Sequence, residues 1–205
     1  MEINAGLATK KDIKHIITIQ KQNHQDSLTT EQKRDGYVTF VTTSQYLSDL
    51  LKSKHWETRV LVCKFKDELE AIPSSICGYL ITVHEEDALK HPFLKKFVKK
   101  VKDGLRPYMI TAQIAVYRGF KGGGIGGLLY ECLFDNIDDR FEEFPIDRIV
   151  AEMPEENEVS FNFHKKHGFK IVKDYSDNKG RKFMIIEKTA DTRIYISNSS
   201  AKTEN

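Results

Sequence analysis

A strand that leads directly into a glycine-rich turn and then into a helix constrains this chain more than any other feature. The strand is predicted over residues 107–117, PYMITAQIAVY, and the turn places five glycines in residues 122–127, GGGIGG. Apolar residues at helical spacing then predict a helix over residues 124–138. The first N–H groups of a helix lack intrahelical partners, and glycines let an anion approach them closely. The pattern therefore indicates a cradle for a phosphate or pyrophosphate group.

Two other phosphate-binding motifs compete for this turn. Residues 122–127 satisfy the dinucleotide fingerprint G-x-G-x-x-G, which by itself is a weak signal. A Rossmann domain carries that fingerprint on an early strand and needs several strand–helix units after it, whereas this chain ends in a predicted hairpin. A P-loop needs Lys and then Ser or Thr after the glycines, but Lys121 precedes them. An NAD(P)-binding oxidoreductase stays open as the less favoured function.

The other patterns predict an α/β chain with a mixed (α+β) sheet. Strands are predicted over residues 3–8, 58–65, 74–85, 107–117, 147–153, 169–176 and 182–188. Helices are predicted over residues 10–20, 45–54, 85–105, 124–138 and 157–167, with Thr9 and Ser44 as N-caps and Gly168 closing the last helix. Strands that are consecutive in places and alternate with helices elsewhere favour one domain over residues 1–190, with helices on both sheet faces. Residues 191–205 form a polar tail.

Residues 85–106 are predicted to be an amphipathic, lysine-rich helical insertion. Apolar residues recur at helical spacing, at Phe93, Leu94, Phe97, Val98, Val101 and Leu105. Lysines fall between them, at Lys95, Lys96, Lys99, Lys100 and Lys102. Two interpretations stay open: a solvated helix packed on the core, or a lid or wall for an acidic or phosphate-bearing ligand.

Composition excludes several classes of protein. A formal net charge of +2 gives no nucleic-acid or membrane footprint, and no apolar run approaches the length of a membrane span. The first residues lack the apolar core of a signal peptide. Cys63, Cys77 and Cys132 are widely spaced, which is typical of reduced thiols and not of a disulfide framework or zinc site. We therefore expect a cytoplasmic protein with no membrane, nucleic-acid or metal partner.

The segment VYRGFKGGGIGGLL, residues 116–129, resembles the central motif of the GNAT superfamily of N-acetyltransferases. In that motif an Arg or Gln, two residues, a Gly, one residue and a Gly or Ala follow the apolar end of a strand. Lys121, Gly124 and Gly126 occupy those positions, with Lys121 replacing the usual Arg or Gln. A lysine offers charge to a phosphate but not a planar fork.

A second segment, residues 156–170, resembles the other GNAT signature, an Asn followed by a small residue, an aromatic or His, and Gly-Phe. These are Asn157, Ser160, His164, Gly168 and Phe169. The strands and helix near the N-terminus also look like those of the family, so the resemblance covers residues 2–189 apart from the insertion. It implies a GNAT fold, with a central mixed six- to seven-stranded sheet flanked by helices on both faces.

The resemblance also implies a reaction and a cofactor. GNAT enzymes use acetyl-CoA as co-substrate and transfer its acetyl group directly to a primary amine in a ternary complex. The residues expected to bind the coenzyme are Ile114, Ala115, Val116, Lys121, Gly122, Gly123, Gly124, Ile125, Gly126, Gly127, Asn157 and His164. In the family the strand before the turn splays from its neighbour. Ile114 and Val116 would then pair with the pantetheine arm, and a nearby N–H would polarise the thioester carbonyl.

Catalytic roles follow from the same resemblance, each beside a plainer alternative. His164 stands where many members have a Tyr, so it either protonates the departing thiolate or only packs and hydrogen-bonds the coenzyme. Tyr117 and Tyr130 are the fallback acids. Asn157 either caps its helix or binds the pantetheine arm. Glu152, on the strand RIVAEM, is preferred as general base over Glu85 and Glu86, which lie just past another strand. A strand carboxylate is more often solvated or paired, and a water chain is the other alternative.

The acceptor is the least constrained part of the prediction. Aromatic residues between the first two strands, Tyr37, Phe40, Tyr46 and Trp56, either line an amine pocket or belong to the core. The expected acceptor is a small-molecule or peptide amine, and a homodimer is allowed. A GNAT-like module that binds acyl-CoA without catalysis is the main alternative function.

Overall fold

The computed structural model describes residues 2–65, 76–101, 107–138 and 146–189. Its strands form one seven-stranded sheet in the order β1-β2-β3-β4-β5-β7-β6. They are β1 (Ile3–Leu7), β2 (Arg59–Phe65), β3 (Ile76–Val83), β4 (Tyr108–Val116), β5 (Arg148–Pro154), β6 (Lys170–Ser176) and β7 (Lys182–Thr189). β4 pairs with β5 in parallel, and the other described pairs are antiparallel. This mixed sheet with flanking helices confirms the predicted fold class.

The helices cover both faces of the sheet. They are α1 (Ile13–Asn23), α2 (Thr30–Lys33), α3 (Ser44–Leu50), α4 (Glu85–Ala88), α5 (Pro92–Val101), α6 (Ile125–Asp138) and α7 (Glu158–Lys166). Successive strand residues point to opposite faces, so Val60 and Val62 of β2 join the core under α1, α3 and α5. Leu61 and Cys63 join the second core, under α6. A strand buried on both faces explains the nearly continuous apolar sequence of β2.

Three helix predictions needed correction. The single helix expected over residues 85–105 is two helices, because Pro92 lacks an N–H and begins α5 instead of continuing α4. Thr43, not Ser44, is the N-cap of α3, where its side chain accepts the N–H of Tyr46. The helix predicted over residues 45–54 ends at Leu50.

Other local predictions agree with the structure or fall outside it. Gly168 has a φ of 87°, the left-handed conformation expected where α7 ends. The turn between β6 and β7 is held by Asp177, whose side chain accepts the N–H groups of Lys179 and Arg181. Three predicted segments lie outside the described residues: the loop over residues 66–73, the end of the lysine-rich insertion over residues 102–106, and the tail over residues 191–205. Within the described ranges, no helix combines the length and apolarity of a membrane span.

The sheet opens between its two central strands. β4 pairs with β5 only where Tyr108, Met109 and Ile110 face Arg148, Ile149 and Val150. Beyond this point β5 keeps pairing with β7 as far as Pro154, while β4 keeps pairing with β3 as far as Val116. A register shift leaves Ala112 as an extra residue in β4, and such bulges bend a strand. The two strands therefore diverge, as the family resemblance implied.

Candidate active site

A groove with a volume of about 390 Å³ lies where β4 leaves β5. Its walls are the end of β4, the glycine turn with the first turn of α6, one side of α7 and residues 35–38 of the segment before α3. Of the sequence-predicted coenzyme residues, it is lined by Ile114, Ala115, Val116, Lys121, Gly122, Gly124, Ile125, Gly126 and Gly127. Asn157 and His164 line an adjoining cavity instead. Gly123 is not part of the groove lining, and its N–H donates to the carbonyl of Phe120.

The glycines of the turn serve different physical needs. Gly122 and Gly124 have φ angles of 82° and 78°, which L side chains rarely adopt. Gly126 has ordinary dihedrals, but an added Cβ would lie 2.9 Å from the Phe163 ring of α7. Gly126 therefore lets α6 and α7 pack closely, and the other two let the backbone turn.

The turn delivers unpaired N–H groups to the groove. The first α-helical hydrogen bond of α6 runs from Leu128 N to Gly124 O, at 3.1 Å. Four N–H groups come before that bond and therefore have no acceptor within the helix. They belong to Gly124, Ile125, Gly126 and Gly127. Three of these residues are glycines, so little side-chain bulk stands between the helix start and an anion.

The end of β4 presents backbone groups to the groove. Tyr117 N donates to Cys77 O in β3, and backbone groups along a strand alternate in direction. Ile114 and Val116 therefore direct their N–H and C=O groups away from β3, into the opening. The Val116 carbonyl accepts the Asn23 amide at 3.2 Å. The backbone N–H and C=O of Ile114 face the groove, where they can pair with an extended ligand that contains amide groups.

Residues 35–42, which we call the roof segment, contribute to both spaces. Residues 35–38 line the groove, and residues 37–40 line the adjoining cavity. Their carbonyl oxygens accept hydrogen bonds from side chains of other elements. Lys121 Nζ donates to Asp35 O at 3.0 Å and to Gly36 O at 3.2 Å. Gln113 of β4 donates to Phe40 O at 2.8 Å. An irregular segment held in this way keeps its backbone polar groups satisfied without joining the sheet.

Lys121 and Asn157, two of the predicted coenzyme residues, therefore also hold the roof segment. Burial lowers the pKa of Lys121. Asn157 occupies the N-cap position of α7, but its side chain makes no capping hydrogen bond. Its Nδ2 instead donates to Tyr37 O at 3.0 Å, and its Oδ1 has no hydrogen-bond partner among the described residues. Asn157 is only 3% exposed, so this buried acceptor is suited to an N–H donor of a ligand.

His164 is buried among aromatic rings. Its neighbours include Tyr130, Phe163 and Phe169, with ring centroids 5.2–5.7 Å away. Nδ1 lies 2.7 Å from the carbonyl oxygen of Ser160, and because a carbonyl only accepts, Nδ1 carries the proton. Burial lowers the pKa of His164 to about 4, although the bond to Ser160 opposes this shift. The ring is therefore neutral at pH 7 and has its lone pair on Nε2.

A second, narrow cavity of about 60 Å³ continues from the groove. Tyr37, Val38, Ile114 and Ser160 line both spaces and mark their junction. The aromatic and aliphatic side chains in its walls include Phe40, Phe93, Leu94 and Phe97. Three of these belong to α5, so the lysine-rich helix is a wall of the cavity. Its Lys95, Lys96 and Lys99 are exposed and face away from that wall.

Glu152 is the one carboxylate that lines the narrow cavity within the described residues. Lys100 Nζ lies 3.1 Å from its Oε1, and the Tyr175 hydroxyl also donates to this oxygen. Lys100 and Tyr175 are in hydrogen-bond contact with each other. Burial, reinforced by Glu152, raises the pKa of Tyr175, which keeps the phenol protonated. The predicted base is therefore a paired carboxylate.

The remaining aromatic candidates fall into two groups, those that line the narrow cavity and those that belong to the cores. Tyr37 and Phe40 line the cavity, whereas Tyr46 donates to Asp87 O in the core and Trp56 packs against the other core. Tyr130 is fully buried, and burial raises its pKa. Tyr117 packs against the core and lies outside the described pocket linings.

Sequence reasoning missed a carboxylate at the mouth of the site. Glu156 accepts the Tyr37 hydroxyl at 2.9 Å, and Glu156 lines an outer cavity of about 350 Å³. That outer cavity shares Thr39, Phe93 and Pro154 with the narrow one. No local motif marks Glu156, because Tyr37 is far away in the chain and only folding brings the two together.

The fold is that of the GNAT N-acetyltransferases. An acetyltransferase of the GNAT family from Streptococcus pneumoniae superposes with a TM-score of 0.61 at 15% identity, over 92% of this chain and 99% of that chain. The yncA protein from Salmonella typhimurium, solved with its cofactor acetyl-CoA, gives 0.62 at 14% identity, over 93% and 95%. The NatC complex bound to Gag peptide and CoA gives 0.62 at 15% identity, over 93% and 99%.

These solved structures confirm the GNAT fold that the two sequence signatures implied. The structural neighbours are acetyltransferases, and some contain CoA or acetyl-CoA. No family model and no curated protein sequence matches the chain. The likeness therefore lies in the architecture, at identities where it establishes the fold alone.

Proposed function

We propose that the protein is a cytoplasmic N-acetyltransferase that transfers an acetyl group from acetyl-CoA to a primary amine by direct attack in a ternary complex. The observation that carries the proposal is the junction of two spaces at the splay of β4 and β5. One has the turn and strand edge that a pyrophosphate and a pantetheine arm need, and the other contains Glu152. A thioester at the junction and an amine in the narrow cavity would meet there.

The groove residues have complementary roles in this proposal. The N–H groups from Gly124 to Gly127 bind the pyrophosphate, and the Ile114 backbone pairs with the pantetheine arm. Where the arm reaches the narrow cavity, the buried Asn157 Oδ1 that lines this cavity accepts an N–H of the arm. The Ile114 N–H faces the opening and polarises the thioester carbonyl, so that charge developing on oxygen is stabilised in the transition state. The Ala115 N–H points towards β3 and is not available for this role.

Glu152 is the proposed general base. It receives the proton of the acceptor ammonium, directly or through a water, and the free amine attacks the thioester carbon. The carbon–sulfur bond then breaks, the electron pair leaves on the CoA sulfur, and the attacking nitrogen loses its second proton to water, which gives the neutral amide. Lys100 and Tyr175 position the carboxylate from α5 and β6.

His164 fits the plainer of its two predicted roles. A neutral ring whose Nδ1 proton is already bonded to Ser160 O has a lone pair, not a proton, to offer at Nε2. We therefore assign it packing and acceptance of a hydrogen bond from the coenzyme. The thiolate takes its proton from water.

Calorimetric titration with acetyl-CoA, with NADH and ATP as controls, tests coenzyme binding. Saturable binding of acetyl-CoA alone is expected, and binding of NADH alone would overturn the proposal. Release of free thiol in the presence of a panel of primary amines tests turnover. Rapid mixing with labelled acetyl-CoA and no amine tests direct transfer, because stoichiometric label on the protein would indicate an acyl-enzyme instead.

A non-catalytic acyl-CoA-binding module is the second candidate. The observation in its favour is that Glu152 is already paired with Lys100 and that His164 is neutral. Such a module would bind acetyl-CoA in the titration and release no thiol with any amine. The oxidoreductase alternative loses support, because the described sheet has a single parallel pair and lacks successive Rossmann units.

A further inference from the structure

Two histidines and a glutamate converge at a corner of the sheet away from the groove. His55 precedes β2, His84 directly follows β3, and Glu86 lies in the first turn of α4. One ligand atom of each lies within 4.8 Å of the others. His55 Nε2 is 3.0 Å from Glu86 Oε2, and the two imidazole rings stack with centroids 3.9 Å apart. We propose that these three residues bind a divalent transition-metal ion of the zinc type.

The donor set is the chemical reason for choosing such an ion. Two imidazole nitrogens and a carboxylate oxygen are a known ligand set for zinc, with water completing the coordination. Imidazole nitrogen is a poor ligand for magnesium or calcium, which prefer oxygen. The ion would replace the proton that now joins His55 Nε2 to Glu86 Oε2.

The backbones that carry the three ligands are held together by a buried carboxylate. Asp87 accepts hydrogen bonds from Ser53 at 2.5 Å and from Thr58 at 2.7 Å, on either side of His55. The hydroxyl of Thr58 also accepts the N–H of His84 at 3.0 Å. Both ligand-bearing segments therefore keep a fixed separation before any ion arrives, which reduces the ordering cost of binding.

The side chains retain the freedom that coordination requires. Zinc–ligand bonds of about 2.0–2.2 Å need the donor atoms closer than they are now, and one ring must rotate out of the stack. His84 Nδ1 now accepts the N–H of Glu86 at 3.2 Å, a long bond that such a rotation would break. The Glu86 side chain is 61% exposed and can follow the ion. A bound ion would join the loop before β2 to α4, which leads into the α5 wall of the narrow cavity.

Calorimetric titration of the untagged, chelator-treated chain with zinc chloride tests the site. One ion per chain with micromolar affinity is expected, and magnesium chloride should give no heat of binding. Absence of zinc binding to the unaltered chain would overturn the proposal. Cobalt(II) provides a second readout, because coordination by these ligands gives visible absorption without the near-ultraviolet band of thiolate ligation.

Variants assign the binding to these residues. Glu86→Ala and His55→Ala are each expected to weaken zinc binding at least tenfold. His15→Ala, on α1, is the matched control and should bind as the unaltered chain does. Glu86 is exposed, so its variant should fold, which circular dichroism verifies. Unchanged affinity in both site variants would show that zinc binds elsewhere and that the His55–Glu86 contact is only a surface hydrogen bond.

Discussion

Lys121 Nζ lies 3.0 Å from the carbonyl oxygen of Asp35, so a single side chain joins the glycine turn to the roof segment across the groove. The GNAT resemblance predicted Lys121 as a coenzyme ligand, because it occupies the Arg or Gln position of the central motif. In the structure the Lys121 ammonium donates hydrogen bonds to two carbonyl oxygens of the roof segment, which lies outside the sheet. Lys121 thus links two walls of the groove, the glycine turn and the roof segment.

Lys121→Met tests this link. Methionine keeps much of the side-chain volume but cannot donate to Asp35 or Gly36, so the roof segment loses its tie and the groove loses a positive charge. We expect acetyl-CoA affinity to fall about tenfold, or roughly 1.4 kcal/mol, in a calorimetric titration. Lys165→Met, at an exposed position of α7, is the control. Equal acetyl-CoA affinities in the two variants would show that Lys121 does not contribute to coenzyme binding.

Gly124→Glu tests the pyrophosphate cradle. The substitution adds bulk and negative charge where N–H groups face the groove, and acetyl-CoA binding should be lost while circular dichroism stays native. Gly180→Glu is a matched control, because Gly180 has a φ of 75° against 78° and equally open surroundings. Each variant carries a backbone penalty of about 1–2 kcal/mol. If Gly124→Glu binds the coenzyme as well as Gly180→Glu, the pyrophosphate lies elsewhere.

Glu152→Gln tests the general base. The amide keeps the shape of the side chain but cannot take a proton, so kcat should fall by about a hundredfold or more while acetyl-CoA affinity is unchanged. Glu155→Gln, an exposed residue of the following turn, should keep normal turnover. A kcat for Glu152→Gln equal to that of Glu155→Gln would make Glu152 a structural partner of Lys100.

The stability of the protein should depend on His164 in acid. Its pKa is about 4 when folded against 6.5 as the reference, so between these values the unfolded chain binds a proton that the folded chain does not. This contribution is complete above pH 6.5 and is lost as pH falls towards 4. Between pH 7 and pH 5 it amounts to about 2 kcal/mol.

His164→Phe measures that contribution. Phenylalanine is apolar like the surrounding rings and cannot titrate. Between pH 7 and pH 5, the free energy of unfolding measured in urea should therefore fall by about 2 kcal/mol less for the variant than for the unaltered protein. Turnover should change little if the ring only packs and accepts a hydrogen bond. A large fall in kcat with unchanged acetyl-CoA affinity would restore the proton-donor role.

Much of the fold was predictable because its signals are local. Alternation and β-branched residues marked all seven strands, and the glycine turn between β4 and α6 marked the groove. The helix over residues 85–105 was misread because its apolar spacing continues through Pro92, and that spacing outweighed the break that a proline imposes. The site was less predictable, because no motif position marks Glu156 or Asn23, and the lysine pattern of residues 85–106 does not indicate that Lys100 pairs with Glu152.

The sequence by itself determined the order of the strands and of most helices, the glycine turn and the residues whose type suits phosphate binding and proton transfer. These follow from neighbours in the chain, through backbone conformation and side-chain chemistry. Only the tertiary structure decided which of those groups are already engaged. Lys100 pairs with Glu152, and the carbonyl of Ser160 accepts a hydrogen bond from His164 Nδ1. The Asn157 amide donates its Nδ2 hydrogen to Tyr37 O, while its Oδ1 has no partner among the described residues. The reason is physical, because hydrogen bonds and charge pairs depend on distances of a few ångströms that folding sets between segments remote in sequence.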